Sequence, residues 1–346
     1  MTFDRRPGFA LPAVLTVTGV VTLIFLVAIT ALTSLTREAN SARERVRFVQ
    51  AALSAEATLQ YLAATEPFDR VGFHAGAPRM LGYNDEAPLN MPSAGATSLV
   101  YQDGRPYEFV ATGLTPRSVV LSLRDQAGMI NLATLHEEQF VRLGNLIGLS
   151  NAFSRTLPAL FRDYADADDL ETINGAERIR YSDGGPANRA LLRPAELLSV
   201  RGVREGIDAS RWRDLRPELA VDSQRPQINV NTASATTLMV LFGISEQQAE
   251  ATVRARDRAP LLSFEDFIAA SGASMPYDGE QLLTFPSGAI VYTVADVGSP
   301  WRYRGRLVLT PTSPERPFWV DQTEMTEARG TAMATSDADR LPYTPR

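Results

Sequence analysis

Residues 9–36 carry no charge, and that run limits what the chain can fold into. It is 28 residues long and rich in Val, Leu, Ile and Ala. At about 1.5 Å rise per residue, a helix of this length exceeds the ~30 Å hydrocarbon core of a bilayer. The Thr hydroxyls within it can bond back to their own helix. Pro12 falls near the start, where its missing N–H would have had no partner. Arg37 then opens a strongly charged stretch. The chain therefore consists of a water-soluble body on a membrane pin.

Two plain readings compete for this run. A secretory signal has a basic start and an apolar core, but that core spans only ~7–15 residues and ends in a small-x-small pattern, which this run lacks. A simple signal anchor is satisfied by spanning length alone. The placement of Gly8 argues for something sharper. In Arg5-Arg6-Pro7-Gly8-Phe9 a short basic leader meets a glycine and a large apolar residue before the apolar run begins. A cut there would remove only the leader and keep the anchor.

This arrangement resembles the cleavage site of type IV prepilins and type II secretion pseudopilins. The resemblance implies that a prepilin peptidase cuts between Gly8 and Phe9 and methylates the new N-terminus at Phe9. There is one departure. The family's Glu at the fifth mature position is Ala13 here. That Glu is understood to pair with the terminal amine of a neighbouring subunit, and an unpaired charge in a bilayer is costly. A subunit with Ala13 cannot neutralise the amine of a subunit it would stack on, so it fits best at a filament tip.

The formal net charge is −6, which argues against a general nucleic-acid binder. With no Cys, a disulfide scaffold and thiolate metal sites are excluded. Only His74 and His136 offer imidazoles, and they lie far apart in sequence. Every basic side chain is Arg. Arginines flank the apolar run on both sides, so charge alone leaves orientation open.

From Arg37 to about Thr65 the pattern stays helical. Val46, Val49, Leu53 and Ala57 recur at three- and four-residue spacing and are expected to pack on the body. Pro67 ends this helix. Residues 67–97 are expected to form a loop. Strands are predicted over 107–112 and 118–123. Residues 136–283 then turn helical, with Phe140, Leu143, Leu146 and Ile147 on one face and Leu157, Leu160, Phe161 and Tyr164 on another. Strand signals return over 289–294, 303–309 and 318–321, and the tail from about residue 329 is expected to be flexible.

Within the helical block Leu197, Val200, Gly202 and Val203 match Leu238, Leu241, Gly243 and Ile244 at a constant offset, with an echo at Phe267, Ala270 and Gly272. A short apolar helix, a glycine at positive φ and a second helix make a helix-hairpin-helix unit. Thr134 and Thr232 are the expected N-caps of the helices that follow them, and Ser263 begins a capping box. Such hairpins can bind phosphate through N–H groups in a Gly-x-Gly turn, but the second Gly is missing here. Packing modules are therefore favoured over DNA binding.

Residues 125–134 form the segment Asp-Gln-Ala-Gly-Met-Ile-Asn-Leu-Ala-Thr, and Ile228-Asn229 opens a second Ile-Asn segment. The first resembles a "D-x-x-G-x-I-N-L-N-T" segment of the protein K family, the largest minor pseudopilins of type II secretion. The resemblance implies an α+β, pilin-like fold. A long N-terminal transmembrane and spine helix and an antiparallel β-sheet would be interrupted by an inserted α-helical domain with helix-hairpin-helix (SAM-like) units. The implied divisions are a leader 1–8, spine helix 9–65, β parts 66–135 and 284–328 around an insert 136–283, and a flexible tail 329–346. Implied partners are the minor pseudopilins I and J, the major pseudopilin G and a prepilin peptidase, with the body in the periplasm and the helix in the inner membrane. The implied role is at the pseudopilus tip, starting assembly and helping export folded proteins across the outer membrane. The rival reading is a helix-hairpin-helix minor pilin of DNA uptake or of a type IV pilus.

One segment offers site chemistry. Five carboxylates fall within residues 163–171: Asp163, Asp166, Asp168, Asp169 and Glu171. A charge run is usually a solvated helix end. Clustered carboxylate oxygens also suit calcium. The EF-hand register fails, because Glu171 stands where that loop requires Gly. The family's insert can bind calcium, and Asp168, Asp169 and Glu177 are the preferred ligands, with Asp166 and Glu171 behind them. No cofactor is required for the structural role, and calcium is the one candidate ion. No nucleophile elbow, HExxH or Walker loop is present, so an enzyme is not expected.

Overall fold

The computed structural model describes residues 10–75, 99–111, 117–182, 184–274, 281–296, 299–310, 313, 315–327 and 338–341. A single helix α1 runs over Ala10–Thr65. Residues 11–37, its first half, are all exposed. Its second half buries Phe48, Ala51, Ala52, Ala55, Leu59 and Leu62 against a sheet. The three alanines let the helix axis approach closely, and Phe48 fills the far end. Truncating Phe48 to Ala would cost about 3–5 kcal/mol.

The anticipated stripe is not the buried one. Val46 and Leu53 remain 57% and 49% exposed, and Ala57 is exposed. At 100° per residue they lie on the opposite side of α1 from the buried stripe. Both stripes are apolar, and the sheet takes the one with small residues.

Strands β1 (Gly72–His74) and β2 (Leu99–Tyr101) form an antiparallel pair, so the expected loop begins with a strand; residues 76–98 lie outside the described residues. The main sheet contains β3 (Asp103–Ala111), β4 (Arg117–Asp125), β9 (Ala289–Ala295), β10 (Trp301–Leu309), β11 (Phe318–Glu327) and β12 (Asp339–Arg340). Its spatial order is β11-β10-β9-β4-β3-β12, antiparallel except for the β12–β3 pair. Of the expected flexible tail 329–346, residues 338–341 are described. β12 pairs with β3, and Leu341 is buried in the core under α1, where one apolar side chain anchors a segment with no strand pattern of its own.

Between β4 and β9 the chain leaves the sheet to form the insert. Two short parallel bridges frame it: β5 (Ile130–Asn131) with β6 (Leu219–Ala220), and β7 (Ile228–Asn229) with β8 (Leu282–Leu283). Helices α2 (Glu137–Leu146), α3 (Asn151–Ala165), α4 (Val203–Gly206) and α5 (Ala209–Leu215) share one core. Helices α6 (Ala235–Phe242), α7 (Glu246–Arg258) and α8 (Phe264–Ser271) build a second around Phe242 and Phe267. The expected cap at Ser263 is present. The caps at Thr134 and Thr232 are not. The helices begin two residues later, at His136 and Ser234. Thr134 donates to the Asn131 carbonyl, and Thr232 donates to the Asp125 carboxylate.

The root of the insert is polar and buried. Asp125, at the end of β4, accepts from Asn229 Nδ2 at 2.8 Å, Thr232 Oγ1 at 3.0 Å and the Ala127 N–H at 3.2 Å. Burial pushes its carboxyl above the usual range, against the pull of these donors. Gly128 is required beside it, because a Cβ there would lie 2.5 Å from Thr232 Oγ1.

Candidate functional site

The first surface of interest lies along α1. No residue from Leu11 to Arg43 is buried. Thr16, Thr22, Thr30 and Thr36 satisfy their hydroxyls on carbonyls four residues back, which suits an apolar surrounding. Length and apolarity allow this helix to cross a membrane. Ala13 sits exposed in its second turn. Gly8 and Phe9 lie outside the described residues.

From the end of the apolar run an exposed seam continues through Leu32, Leu35, Ala39, Ala42, Val46, Val49 and Leu53. The spacing alternates three and four, a heptad repeat. Such a seam takes another helix with a slight left-handed supercoil. Val49 is half-buried and the others are exposed. The opposite face is already committed to the sheet, where the Tyr292 and Tyr303 hydroxyls both donate to Glu56 Oε2. Nearer the apolar run, Arg117 of β4 pairs with both Glu44 and Asp296. These contacts fix which side of α1 faces outward.

The second site is acidic. Asp163 lies on the last turn of α3, Asp166 is its C-cap, and Glu177 precedes a short 3₁₀ turn at Arg178–Arg180. One carboxylate oxygen from each lies within 4.8 Å of the others. Asp163 is fully buried and Glu177 is 4% exposed. Asp163 accepts from the Thr172 hydroxyl at 2.7 Å and the Thr172 N–H at 3.1 Å. Asp166 Oδ1 and both Glu177 oxygens are buried without a hydrogen-bond partner among the described residues. Burial first, then neighbouring carboxylates, push the Asp166 and Glu177 pKa values up, with Asp168 and Asp163 acting on Asp166 and with Asp163, Asp166 and Asp169 acting on Glu177. The close-packed Gly175 backbone completes the cradle.

Three converging carboxylates, two of them with orphaned oxygens, are an unfavourable arrangement for protein alone, and hard oxygen donors suit a divalent cation such as calcium. Of the residues preferred from sequence, Glu177 and Asp166 are brought together. Asp168 and Asp169 stay exposed outside the triad. Asp168 accepts from the Leu170 N–H, and Asp169 accepts from Asn188 Nδ2. Glu171 is drawn off into an ion pair with Arg180. Asp163 is the ligand candidate that sequence reasoning passed over. Its signal was a carboxylate three residues after Leu160, at the edge of an otherwise apolar stripe.

The hairpins spend their polar groups within the chain. Gly202, Gly243 and Gly272 all take positive φ, at 78°, 67° and 63°. At the Gly243 turn, Ser245 already caps the Gln248 N–H, and Arg142 of α2 donates to the Val240 and Leu241 carbonyls that end α6. This is a packing use of the motif.

The family model described as type II secretion system protein K matches residues 228–284. Two curated proteins called type II secretion system protein K are similar. One, from Pseudomonas aeruginosa, is 32% identical over 155 residues, covering 42% of this chain and 46% of its own length. The other, from Dickeya chrysanthemi, is 33% identical over 125 residues, covering 34% of each. The matches thus span less than half the length of these relatives. A solved structure, the crystal structure of the GspK-GspI-GspJ complex from the enterotoxigenic Escherichia coli type 2 secretion system, aligns with TM-score 0.53 at 17% identity, covering 84% of this chain and 100% of that one. At that identity the likeness speaks to the fold.

Proposed function

We propose that the chain is a member of the type II secretion system protein K family and serves as a minor pseudopilin at the tip of the pseudopilus. In this role it starts pseudopilus assembly and helps folded proteins leave across the outer membrane. The observation that carries the reading is the exposed heptad seam of α1. It continues a membrane-length apolar helix into water, on the face turned away from the sheet. A helix face of that kind needs a second helix, and other pseudopilins supply one. By similarity to the solved complex, the partners are the minor pseudopilins I and J; the resemblance at the N-terminus puts the major pseudopilin G below them. The helix sits in the inner membrane, the body in the periplasm, and the absent carboxylate at Ala13 suits the end position.

Calcium at Asp163, Asp166 and Glu177 is part of the same proposal. There it would neutralise the buried triad and fix the 166–189 segment to α3.

The test uses the full chain co-expressed with pseudopilins I and J. Leu53→Glu puts a charge on the seam and leaves the buried face intact. The variant is expected to keep its thermal midpoint and lose co-purification of I and J. The chain has no cysteine, so Val46→Cys and Leu53→Cys report proximity without background. Wild-type co-purification by Leu53→Glu would remove the seam from the interface.

A further inference from the structure

A cavity of about 500 Å³ opens between the insert and the sheet. On the sheet side its wall is the β10–β11 pair at a break in register. Arg304 pairs with Glu324 and Arg306 with Asp321, so Gln322 and Thr323 face a single residue of β10. Such a bulge re-aims side chains, and bulges are common beside sites. Gln322 takes φ +50°, unusual for a side-chain-bearing residue, and donates through Nε2 to the Val221 carbonyl at 3.3 Å. The insert side is aliphatic, with Leu191, Leu192, Pro194, Ala195 and Val221.

The charges lining this space do not balance. Four guanidiniums, Arg193, Arg216, Arg304 and Arg306, face three carboxylates, Asp222, Asp321 and Glu324. All three acids are taken. Arg216 pairs with Glu324 at 2.7 Å, and Arg306 pairs with Asp222 at 2.9 Å and Asp321 at 2.6 Å. Among the described residues Arg304 donates only to carbonyls, to Leu219 O at 2.8 Å and Arg216 O at 3.4 Å. Arg193 is exposed, and its side chain makes no hydrogen bond or ion pair among the described residues. Burial pushes the Arg304 pKa down to about 10, which leaves it charged at neutral pH.

We propose that this cavity binds one carboxylate of an extended acidic peptide, with Arg304 at its buried end and Arg193 at its mouth. The surplus of one positive charge matches a monoanion better than a doubly charged phosphate. The aliphatic wall suits the hydrocarbon beside a carboxylate. The volume falls in the range of ligand sites and has room for a few residues. Guanidinium–carboxylate pairing supplies the geometry that a carbonyl partner alone does not. The reading is independent of the chain's place in a pseudopilus.

The full chain in detergent micelles is titrated by calorimetry with three peptides. They are acetyl-Ala-Glu-Ala-amide, acetyl-Ala-Gln-Ala-amide, and acetyl-Ala-Ala-Ala with a free carboxyl end. At least one anionic peptide is expected to bind ten-fold or more tighter than the Gln peptide, and the tighter of the two identifies a side-chain or C-terminal source. Arg193→Gln should weaken it at least three-fold and Arg304→Met at least ten-fold. Arg193 is exposed, so its variant tests the idea even where Arg304→Met lowers stability. Equal affinity for the Glu and Gln peptides, no binding at all, or an unchanged affinity in Arg193→Gln would overturn the proposal.

Discussion

The Asp125 carboxylate accepts both the N–H of Ser287, at 3.0 Å, and its hydroxyl, at 2.6 Å, across a sequence separation of 162 residues. The two residues stand where the chain leaves the sheet and where it returns. Asn229, Thr232 and Ala127 supply the other donors. All five groups donate to it, and each oxygen faces at least one N–H that cannot accept, Ala127 and Ser287 N–H at Oδ1 and Asn229 Nδ2 at Oδ2, so an amide at this position would turn an N–H toward a donor in either orientation. Asp125→Asn is therefore expected to cost about 3 kcal/mol, close to the cost of Asp125→Ala. Urea unfolding of the full chain in micelles measures this. An Asn variant as stable as wild type would mean the hub does not hold the insert.

The strands and the long helix were legible in the sequence because alternation and an uncharged run are strong local signals. The choice of face on α1 was not. Val46 and Leu53 are more hydrophobic than Ala51, Ala52 and Ala55, yet the sheet takes the alanines because close approach outweighs side-chain size. Thr134 and Thr232 looked like caps, but Asn131 and Asn229 open the turns. Asn131 Oδ1 accepts from Ala133 and Asp222 N–H groups, and Asn229 Oδ1 accepts from the Asn231 N–H. This shifts each helix start by two residues. Asp163 was passed over because its partners lie nine and fourteen residues on, in a segment whose more exposed acids drew attention instead.

The acidic triad gives the pH dependence a definite sign. Burial and repulsion from neighbouring carboxylates raise the Asp166 and Glu177 pKa values in the fold. A carboxyl with a raised folded pKa favours the fold below its unfolded value and loses that support as pH climbs through the folded value. In chelator, the contribution of Asp166 and Glu177 is therefore expected to fall from about pH 4 upward. Calcium should reverse the trend, since protons compete with it. At about 100 times its Kd it would add about 2.7 kcal/mol. Thermal midpoints of wild type and an Asp166→Asn, Glu177→Gln double variant, compared with and without calcium, isolate the effect. A wild-type midpoint that calcium does not move would rule the site out.

Gly175 offers a steric test that leaves every charge in place. A Cβ there would sit 1.9 Å from Asp163 Oδ2, so Gly175→Ala must push the carboxylate or its loop aside. Calcium affinity should drop at least ten-fold, while the sheet and α1, which are distant in the fold, keep their stability. Calorimetric titration of the variant decides it. Unchanged affinity would show that Asp163 is not a ligand.

Processing at the N-terminus is the remaining prediction. Co-expression with a prepilin peptidase should give a chain cut between Gly8 and Phe9 and methylated at Phe9, read by intact mass and N-terminal sequencing. A tip subunit has no neighbour stacked above it whose amine would need a carboxylate. Ala13→Glu should therefore be cut normally and should co-purify I and J at close to the wild-type level. The added carboxylate lies in a membrane-length apolar helix, where an unpaired charge costs about 3 kcal/mol, so it is expected to be held neutral or paired with the chain's own terminal amine. If Ala13→Glu instead lets the subunit enter the shaft, seen as its recovery along sheared filaments rather than at their ends, then Ala13 alone sets the tip position. If the variant abolishes assembly, the tip has a partner above it and the end position proposed here is wrong.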